Sequence, residues 1–287
     1  MVDDATRKAK VLIEALPFLK RFHHQFMIVK LGGEAIEDPV VLDSLLTDLV
    51  WLEQVGVSPV LVHGAGKSIT RAMEQAGLPV TFHQGRRVTD AATMRIVARE
   101  VERVNAHIVA RLFDLGGAAI GMCPPRHPAV TGKVLDPGLG LVGQPIAIDR
   151  ERIVRYATRG LIPIVPPLSV DADGQVMNTN ADDIALAVAT GMKAEKLVFC
   201  SSVPGVLTDP KDPATRLSSL TDVDVRRLVA NGTIQGGMIP KVESCLGALE
   251  AGVRKIHIVG AGMPHALLLE IFTAEGIGTE LHLAPHP

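Results

Sequence analysis

The stretch Phe26-Met-Ile-Val-Lys-Leu-Gly-Gly33 reads as a short apolar β-strand stopped by a pair of glycines. Downstream, Pro39 to Val55 carries a helical pattern, with Pro39 tolerated in the first turn. Ser58-Pro-Val-Leu-Val62 reads as a second strand, ending at His63-Gly64-Ala65-Gly66, and a helix runs from there to about Ala76. The order strand, glycine turn, helix has thus appeared twice. Repeated units of this kind build a mostly parallel sheet covered by helices on both faces. Ligands of such sheets bind at the carboxyl ends of the strands, which here carry Gly32-Gly33 and Gly64-Ala65-Gly66.

The rhythm extends in both directions. Upstream, Asp3 and Asp4 precede a helix with Val11, Leu12, Ala15, Leu16 and Leu19 on one face, ending near Arg21. Downstream, Ala91 to Phe113 reads as a long helix and Ala118 to Met122 as a strand. Pro128 to Ile148, rich in glycine, proline and short apolar alternations, reads as hairpins, and Asp171-Ala-Asp-Gly174 as a turn. Helices are expected over Arg150–Thr158, Asn180–Gly191, Gly237–Gly252 and His265–Thr273. Strands are expected over Leu161–Val165, Lys196–Cys200 and Lys255–Val259.

Bulk properties narrow the function. The 287 residues suffice for one large α/β unit or two closely packed lobes, with a soft boundary near residue 175. Aromatic residues make up 3% of the chain and the net charge is −2, which argues against a nucleic-acid surface or attraction to anionic lipid. The cysteines, Cys123, Cys200 and Cys245, lie far apart and form no metal-type spacing, which fits a reduced, cytoplasmic setting. Met1 to Lys10 is polar and lacks a secretory h-region, and no apolar run approaches a membrane span.

Several segments carry candidate chemistry. Gly64-Ala-Gly-Lys-Ser68 invites a P-loop reading, but the first glycine of that motif would fall on Leu61, so the match fails. What remains is a glycine turn opening a helix, either an anion cradle or a plain tight turn. Lys30, near the end of an apolar strand, either meets an anion in a cleft or lies on an edge strand. Gly236-Gly-Met-Ile-Pro-Lys241 places a lysine in a first helical turn, against the helix dipole, where a bound anion would resolve the mismatch. Asn178-Thr-Asn-Ala-Asp-Asp183 exceeds what one helix cap needs. Arg86 and Arg87 suit either a carboxylate ligand or a surface ion pair. No histidine set has metal-site spacing, His63 reads as support for the glycine turn, and no nucleophile–base pair stands out.

In combination and in order, these segments resemble the amino acid kinase family. The resemblance rests on Lys30-Leu-Gly-Gly33, Val62-His-Gly-Ala-Gly66, Gly85-Arg-Arg-Val-Thr-Asp90 and Met177-Asn-Thr-Asn-Ala-Asp182. Val203-Pro-Gly-Val206, Gly237-Met-Ile-Pro-Lys241 and His265 to Thr273 extend it over nearly the whole chain. It implies a three-layer αβα sandwich with a mainly parallel, open central sheet. An N-terminal oligomerisation helix (1–22), an acyl-amino-acid lobe (23–175) and an ATP lobe (176–287) follow from it. The motifs are most similar to members that phosphorylate the side-chain carboxylate of N-acetyl-L-glutamate in arginine biosynthesis.

Carried over residue by residue, Lys30 and Lys241 resemble the pair that stabilises the phosphoryl group, and Asp182 the residue that orients them. Gly33 and Gly66 correspond to backbone donors to phosphate, and Gly64 and Ala65 to the place of the substrate carboxylate. Arg87 corresponds to a clamp on the α-carboxylate, and Asn178 to a partner of the acetamido group. Ser201 and Ser202 fall on the nucleotide side. The implied ligands are ATP with Mg2+ carried by the nucleotide, and no metal site of the protein's own. The implied partners are arginine as an allosteric inhibitor, further copies of the chain in a dimer or hexamer, and a PII signalling protein. A carboxylate acceptor with a pKa of about 4.3 is already ionised at neutral pH, so no general base is required.

The chain departs from the family pattern at four places. Ala65 stands where the family has Gly, and Ser201-Ser202 where it has Thr-Asp. Lys67 replaces an uncharged residue, and Phe18 stands where arginine-inhibited members have Tyr. Another acceptor acid or carbamate, a catalytically weak arginine-binding regulatory subunit, and the kinase-like domain of an acetylglutamate synthase are the competing readings. The last expects a further acetyltransferase segment, for which the chain leaves no room.

Overall fold

The computed structural model describes residues 2–236, 238–273 and 275–284. Gly237 lies outside the described residues, as do the side chains of Asp3 and Asp4, although the helix they were expected to precede already includes them. The chain begins α1 (Val2–Phe22), β1 (Phe26–Leu31), α2 (Gly33–Glu37), α3 (Pro39–Gln54), β2 (Ser58–His63) and α4 (Gly66–Gln75). A small hairpin, β3 (Phe82–His83) and β4 (Arg86–Arg87), leads to α5 (Ala91–Asp114). Next come β5 (Ala119–Gly121), β6 (Val130–Val134), β7 (Val142–Ile148), α6 (Arg150–Ala157) and β8 (Ile162–Val165). They are followed by β9 (Leu168–Val170), β10 (Val176–Thr179), α7 (Ala181–Met192) and β11 (Lys196–Ser201). The remainder is β12 (Ser219–Thr221), α8 (Asp222–Ala230), α9 (Met238–Glu250), β13 (Lys255–Gly260), α10 (Ala266–Ile271) and β14 (Thr279–His282).

Eight strands form one open sheet in the order β12-β14-β13-β11-β1-β2-β8-β5. From β13 to β5 every pairing is parallel, and the one reversal lies between β13 and β14. Alternating residues of the central strands feed two separate cores. Met27, Val29 and Leu31 pack with α3, α5 and α10, whereas Ile28 packs with α6, α7 and α9. The same alternation puts Leu61 on the first face and Val60 and Val62 on the second. This is the period of two expected of a strand buried on both sides, and it makes the three layers.

The helices follow their local signals. Asp38 caps α3 by accepting from the Val40 and Val41 amides, Asp90 caps α5 through Thr93, and Asn180 caps α7 through Asp182. The segment Pro128–Ile148 does contain a hairpin, β6 with β7, carrying a bulge at Thr131/Gly132. Its strands join β9 and β10 in a small closed four-stranded barrel that the sequence reading did not separate from the loops. The hairpin β3–β4 and helix α8 were likewise missed. Thr221 and Asp224 make a reciprocal capping box at α8, so its start was signalled by Thr-x-x-Asp. No helix among the described residues is long and apolar enough to cross a membrane.

Candidate active site

The three adjacent strands β11, β1 and β2 run parallel, so their carboxyl ends open on one edge of the sheet. That edge brings together Ser201-Ser202, Gly32-Gly33 and the His63-Gly64-Ala65-Gly66 turn. The turn is pinned by the Gly64 amide donating to Leu31 O at 3.0 Å, and Gly32 N donates to Cys200 O at 3.3 Å. A Cβ on Gly64 would lie 3.6 Å from Gly33 N, so the two glycine turns are in near contact.

Lys30 pairs in register with Phe199 on one side and Val62 on the other. Its parity sends it to the face covered by α7 and α9. There its ammonium lies 2.7 Å from Asp182 Oδ1, in the first turn of α7. Oδ1 is buried, and the contact is an ionic one rather than an aligned hydrogen bond. Lys241, in the first turn of α9, approaches Asp182 Oδ2 at 3.6 Å and stands 5.2 Å above the Phe199 ring. Burial raises the Asp182 pKa, but the two ammonium groups more than offset it and hold the carboxyl below its ordinary value. One carboxylate therefore spaces two cations, and the first-turn lysine finds its anion.

Two cavities meet at this point. One, of about 250 Å3, is bounded by Lys30, Gly33, the Gly64–Gly66 turn, Arg87 and Asn178. The other, of about 410 Å3, is bounded by Lys30, Gly33, Lys241, Ser201, Ser202 and Gly262. Every residue selected from the sequence lies on one of these walls or, as Asp182, between the lysines. A further cavity, about 520 Å3, opens between α4 and α5 and shares Gly33, Gly64 and Ala65 with this edge. Several of its polar side chains pair with one another. Ser68 donates to Glu100, Arg103 donates to both, and Arg71 pairs with Glu37.

Arg87 is 7% exposed, yet among the described residues it meets no carboxylate. Its Nη2 donates to Gly66 O at 3.1 Å and Thr70 Oγ1 at 2.7 Å, and Nη1 lies 3.2 Å from Met73 Sδ. The guanidinium also stacks 4.7 Å from the Phe82 centroid. Burial alone lowers its pKa. A desolvated cation held by neutral acceptors is a poor final state and a good seat for an anion. Asn178 donates to Thr89 Oγ1 at 3.0 Å, and Thr89 Oγ1 donates on to Arg87 O at 2.8 Å, so Asn178 and Arg87 are positioned together.

Ala65 is the N-cap of α4, with φ −148° and ψ 13°. A negative φ admits a side chain without strain, so the methyl group in place of Gly is accommodated by the backbone. Lys67 pairs with Glu34 at 3.5 Å at the exposed rim.

His63 supports the glycine turn, as its place beside Gly64 suggests, but the sequence reading missed Asn105 behind it. His63 is fully buried, and burial depresses its pKa to about 4, so the ring is neutral. Its Nδ1 donates to Gly64 O at 3.1 Å, leaving Nε2 to accept from Asn105 Nδ2 at 3.0 Å. Asn105 Nδ2 also donates to Ile164 O at 3.0 Å. A side chain at Gly121 would collide with Asn105 Oδ1, so glycine is needed there. The available signal was a polar residue on the apolar stripe Val97, Val101, Val104, Ile108 of α5.

Among the described residues, no three His, Cys, Asp or Glu side chains gather as metal ligands. The fold and the paired cavities thus define an α/β protein with two adjoining cavities that share Lys30 and Gly33 at the carboxyl edge of its sheet. The chain belongs to the amino acid kinase family, whose pattern matches residues 25–260. It is 41% identical over 277 residues to an acetylglutamate kinase of Synechococcus, covering 96% of this chain and 92% of that one. Its fold resembles that of N-acetylglutamate synthase from Neisseria gonorrhoeae complexed with coenzyme A and N-acetyl-glutamate, with a TM-score of 0.86 and 24% identity. The match covers 97% of this chain and 64% of the synthase, so this chain spans just under two thirds of that protein. The same synthase complexed with coenzyme A and L-arginine gives a TM-score of 0.82 at 22% identity, covering 96% and 65%.

Proposed function

We propose that the protein transfers the γ-phosphoryl group of MgATP to the side-chain carboxylate of N-acetyl-L-glutamate, giving N-acetylglutamyl phosphate in arginine biosynthesis. The observation that carries the reading is the pair of cavities sharing Lys30 and Gly33, with the uncompensated Arg87 on the wall of the smaller one. The smaller cavity takes the acceptor and the larger takes the nucleotide. Arg87 forks the α-carboxylate, and Asn178 meets the acetamido group. Gly64 and Ala65 flank the reacting carboxylate.

The acceptor oxygen attacks the γ-phosphorus, the bond to the β-bridging oxygen breaks, and ADP leaves with the electron pair. Both reactants are anions, so the difficulty is repulsion and alignment rather than proton removal. The amides of Gly33 and Gly66 and the ammonium groups of Lys30 and Lys241 offset the charge on the phosphoryl oxygens, and Asp182 fixes the spacing of the lysines. Ser201 and Ser202 line the nucleotide side. Magnesium is carried by the nucleotide phosphates and shields their charge.

The acyl-amino-acid lobe is assigned to 23–175 and the ATP lobe to 176–287. Residues 1–22 are proposed to link copies of the chain into dimers and hexamers. The exposure of Val11, Leu12 and Ile13 on α1 supports this, since apolar side chains there lack cover. Arginine as a feedback inhibitor, a PII signalling protein as partner and a cytoplasmic location complete the proposal.

The test is ADP release with MgATP and N-acetyl-L-glutamate, compared with glutamate and N-acetylaspartate, with and without arginine. Release selective for N-acetylglutamate supports the reading. No release with any acceptor favours the regulatory alternative.

A further inference from the structure

One ion pair links the acceptor wall to the turn that carries Asp182. Arg86 Nη1 donates to Asp183 Oδ2 at 2.6 Å, across 97 positions of sequence. Their side chains retain 27% and 26% exposure, so the pair is mostly shielded from solvent. Arg86 and Arg87 are neighbours on β4, and Asp182 and Asp183 are neighbours in the first turn of α7. Arg87 and Asp182 belong to the site, and Arg86, although it also borders the acceptor cavity, spends its guanidinium on Asp183.

The hairpin cannot place itself. Its strands are two residues each, and its turn uses Gln84 at φ 47° and Gly85 at φ 75°. Phe82 remains 54% exposed. A two-stranded ribbon this short has little stability of its own. Its base is fixed independently, by Thr89 N donating to Leu139 O and Leu141 N donating to Thr89 O. Its tip is tied by Arg87 to α4 and by Arg86 to α7. When a ligand carboxylate draws on the donors of Arg87, the α4 tie weakens and Arg86–Asp183 becomes the main restraint.

We propose that Arg86 and Asp183 are positioning residues for acceptor binding, holding the β3–β4 hairpin against α7 so that Arg87 is presented to the acceptor while Asp182 holds the lysines. The inference rests on the acceptor site proposed above. The pair sets affinity for the acceptor and leaves that for the nucleotide alone, because neither residue borders the nucleotide cavity.

The experiment compares Arg86→Gln, Asp183→Asn, the double variant and Arg86→Lys with the unaltered protein, using Arg87→Ala as reference. Each single variant is expected to raise KM for N-acetylglutamate about three- to tenfold, as for a partly shielded pair, with KM for ATP within about twofold. The double variant should be no worse than either single one, and Arg86→Lys should recover part of the loss. Unchanged acceptor KM in the single variants overturns the proposal, as do multiplying effects in the double variant or an equal rise in KM for ATP. If Arg87→Ala raises the acceptor KM while Arg86→Gln does not, the link alone fails. If Arg87→Ala also changes nothing, the acceptor site itself is misplaced. Hydrogen exchange over residues 82–87 without ligand reads the hairpin directly, whatever the acceptor. Faster exchange in both single variants supports the link, and unchanged exchange overturns it.

Discussion

Replacing Asp182 by Asn removes one negative charge and almost no volume, which makes it the cleanest probe of the lysine pair. Lys30 lies 2.7 Å from one carboxylate oxygen and Lys241 3.6 Å from the other. At an effective dielectric of about 20, these contacts amount to gross attractions of roughly 6 and 5 kcal/mol. The desolvation of three charged groups opposes most of this, and the Asp182 side chain keeps 33% exposure, which screens the rest. A net loss of about 3 kcal/mol is the reasonable scale for breaking such a network. That corresponds to a fall of about 5 °C in melting temperature for a chain of this size.

The kinetic consequence is distinct from the stability one. Two unneutralised ammonium groups still attract phosphate, so KM for ATP should stay level or fall. They no longer share a fixed spacing, so turnover should drop about a hundredfold, the scale seen when a preorganised charge is misplaced. The assay is steady-state ADP release at saturating N-acetylglutamate, with circular dichroism to establish folding. Turnover within about threefold of the unaltered protein would refute the reasoning, because Asp182 would then not organise the lysines. A raised KM for ATP with unchanged turnover would refute it equally.

Other outcomes follow from the same geometry. Arg87→Ala should raise the acceptor KM by about tenfold or more, the scale of losing a charge-assisted contact, with KM for ATP unchanged in the same titrations. Stability should fall as pH drops from 6.5 towards 4, because His63 is neutral in the fold with a pKa of about 4 while the unfolded chain takes up a proton in that window. The loss is about 3 kcal/mol at the acid end, and denaturant titrations of His63→Gln should show a shallower slope there. Ala65→Gly should change stability by less than about 1 kcal/mol and acceptor KM by less than about threefold, because φ at this position is negative and already accommodates a side chain.

Much of this architecture is legible in the sequence. Helices α3, α5 and α7 were legible as helical patterns, α3 with Pro39 in its first turn and α7 with Asn180 at its start. The glycine turns after β1 and β2 marked the ligand edge, because a parallel sheet leaves its strand ends in one place. The small barrel was not legible. Strands β9 and β10 have three and four residues, and their pairings reach back to β6 and β7, which no local pattern encodes. Asn105 behind His63, and Asp48 receiving Leu267 N and His265, are polar residues inside apolar helix faces. The periodicity rule flags such positions but cannot name their partners. Arg86 read equally well as a surface charge, since Asp183 lies far along the chain and only the fold brings it near.

The central claim is that the acceptor is the side-chain carboxylate, phosphorylated in line with ATP across the wall at Lys30 and Gly33. An acyl phosphate reacts with hydroxylamine to give a hydroxamate, so trapping reads the bond that forms rather than ATP consumption alone. With MgATP, N-acetyl-L-glutamate and hydroxylamine, the account predicts hydroxamate equal in amount to the ADP released, none with N-acetylglutamine, and almost none with Lys30→Ala. ADP released without hydroxamate, or hydroxamate formed undiminished by Lys30→Ala, would contradict it.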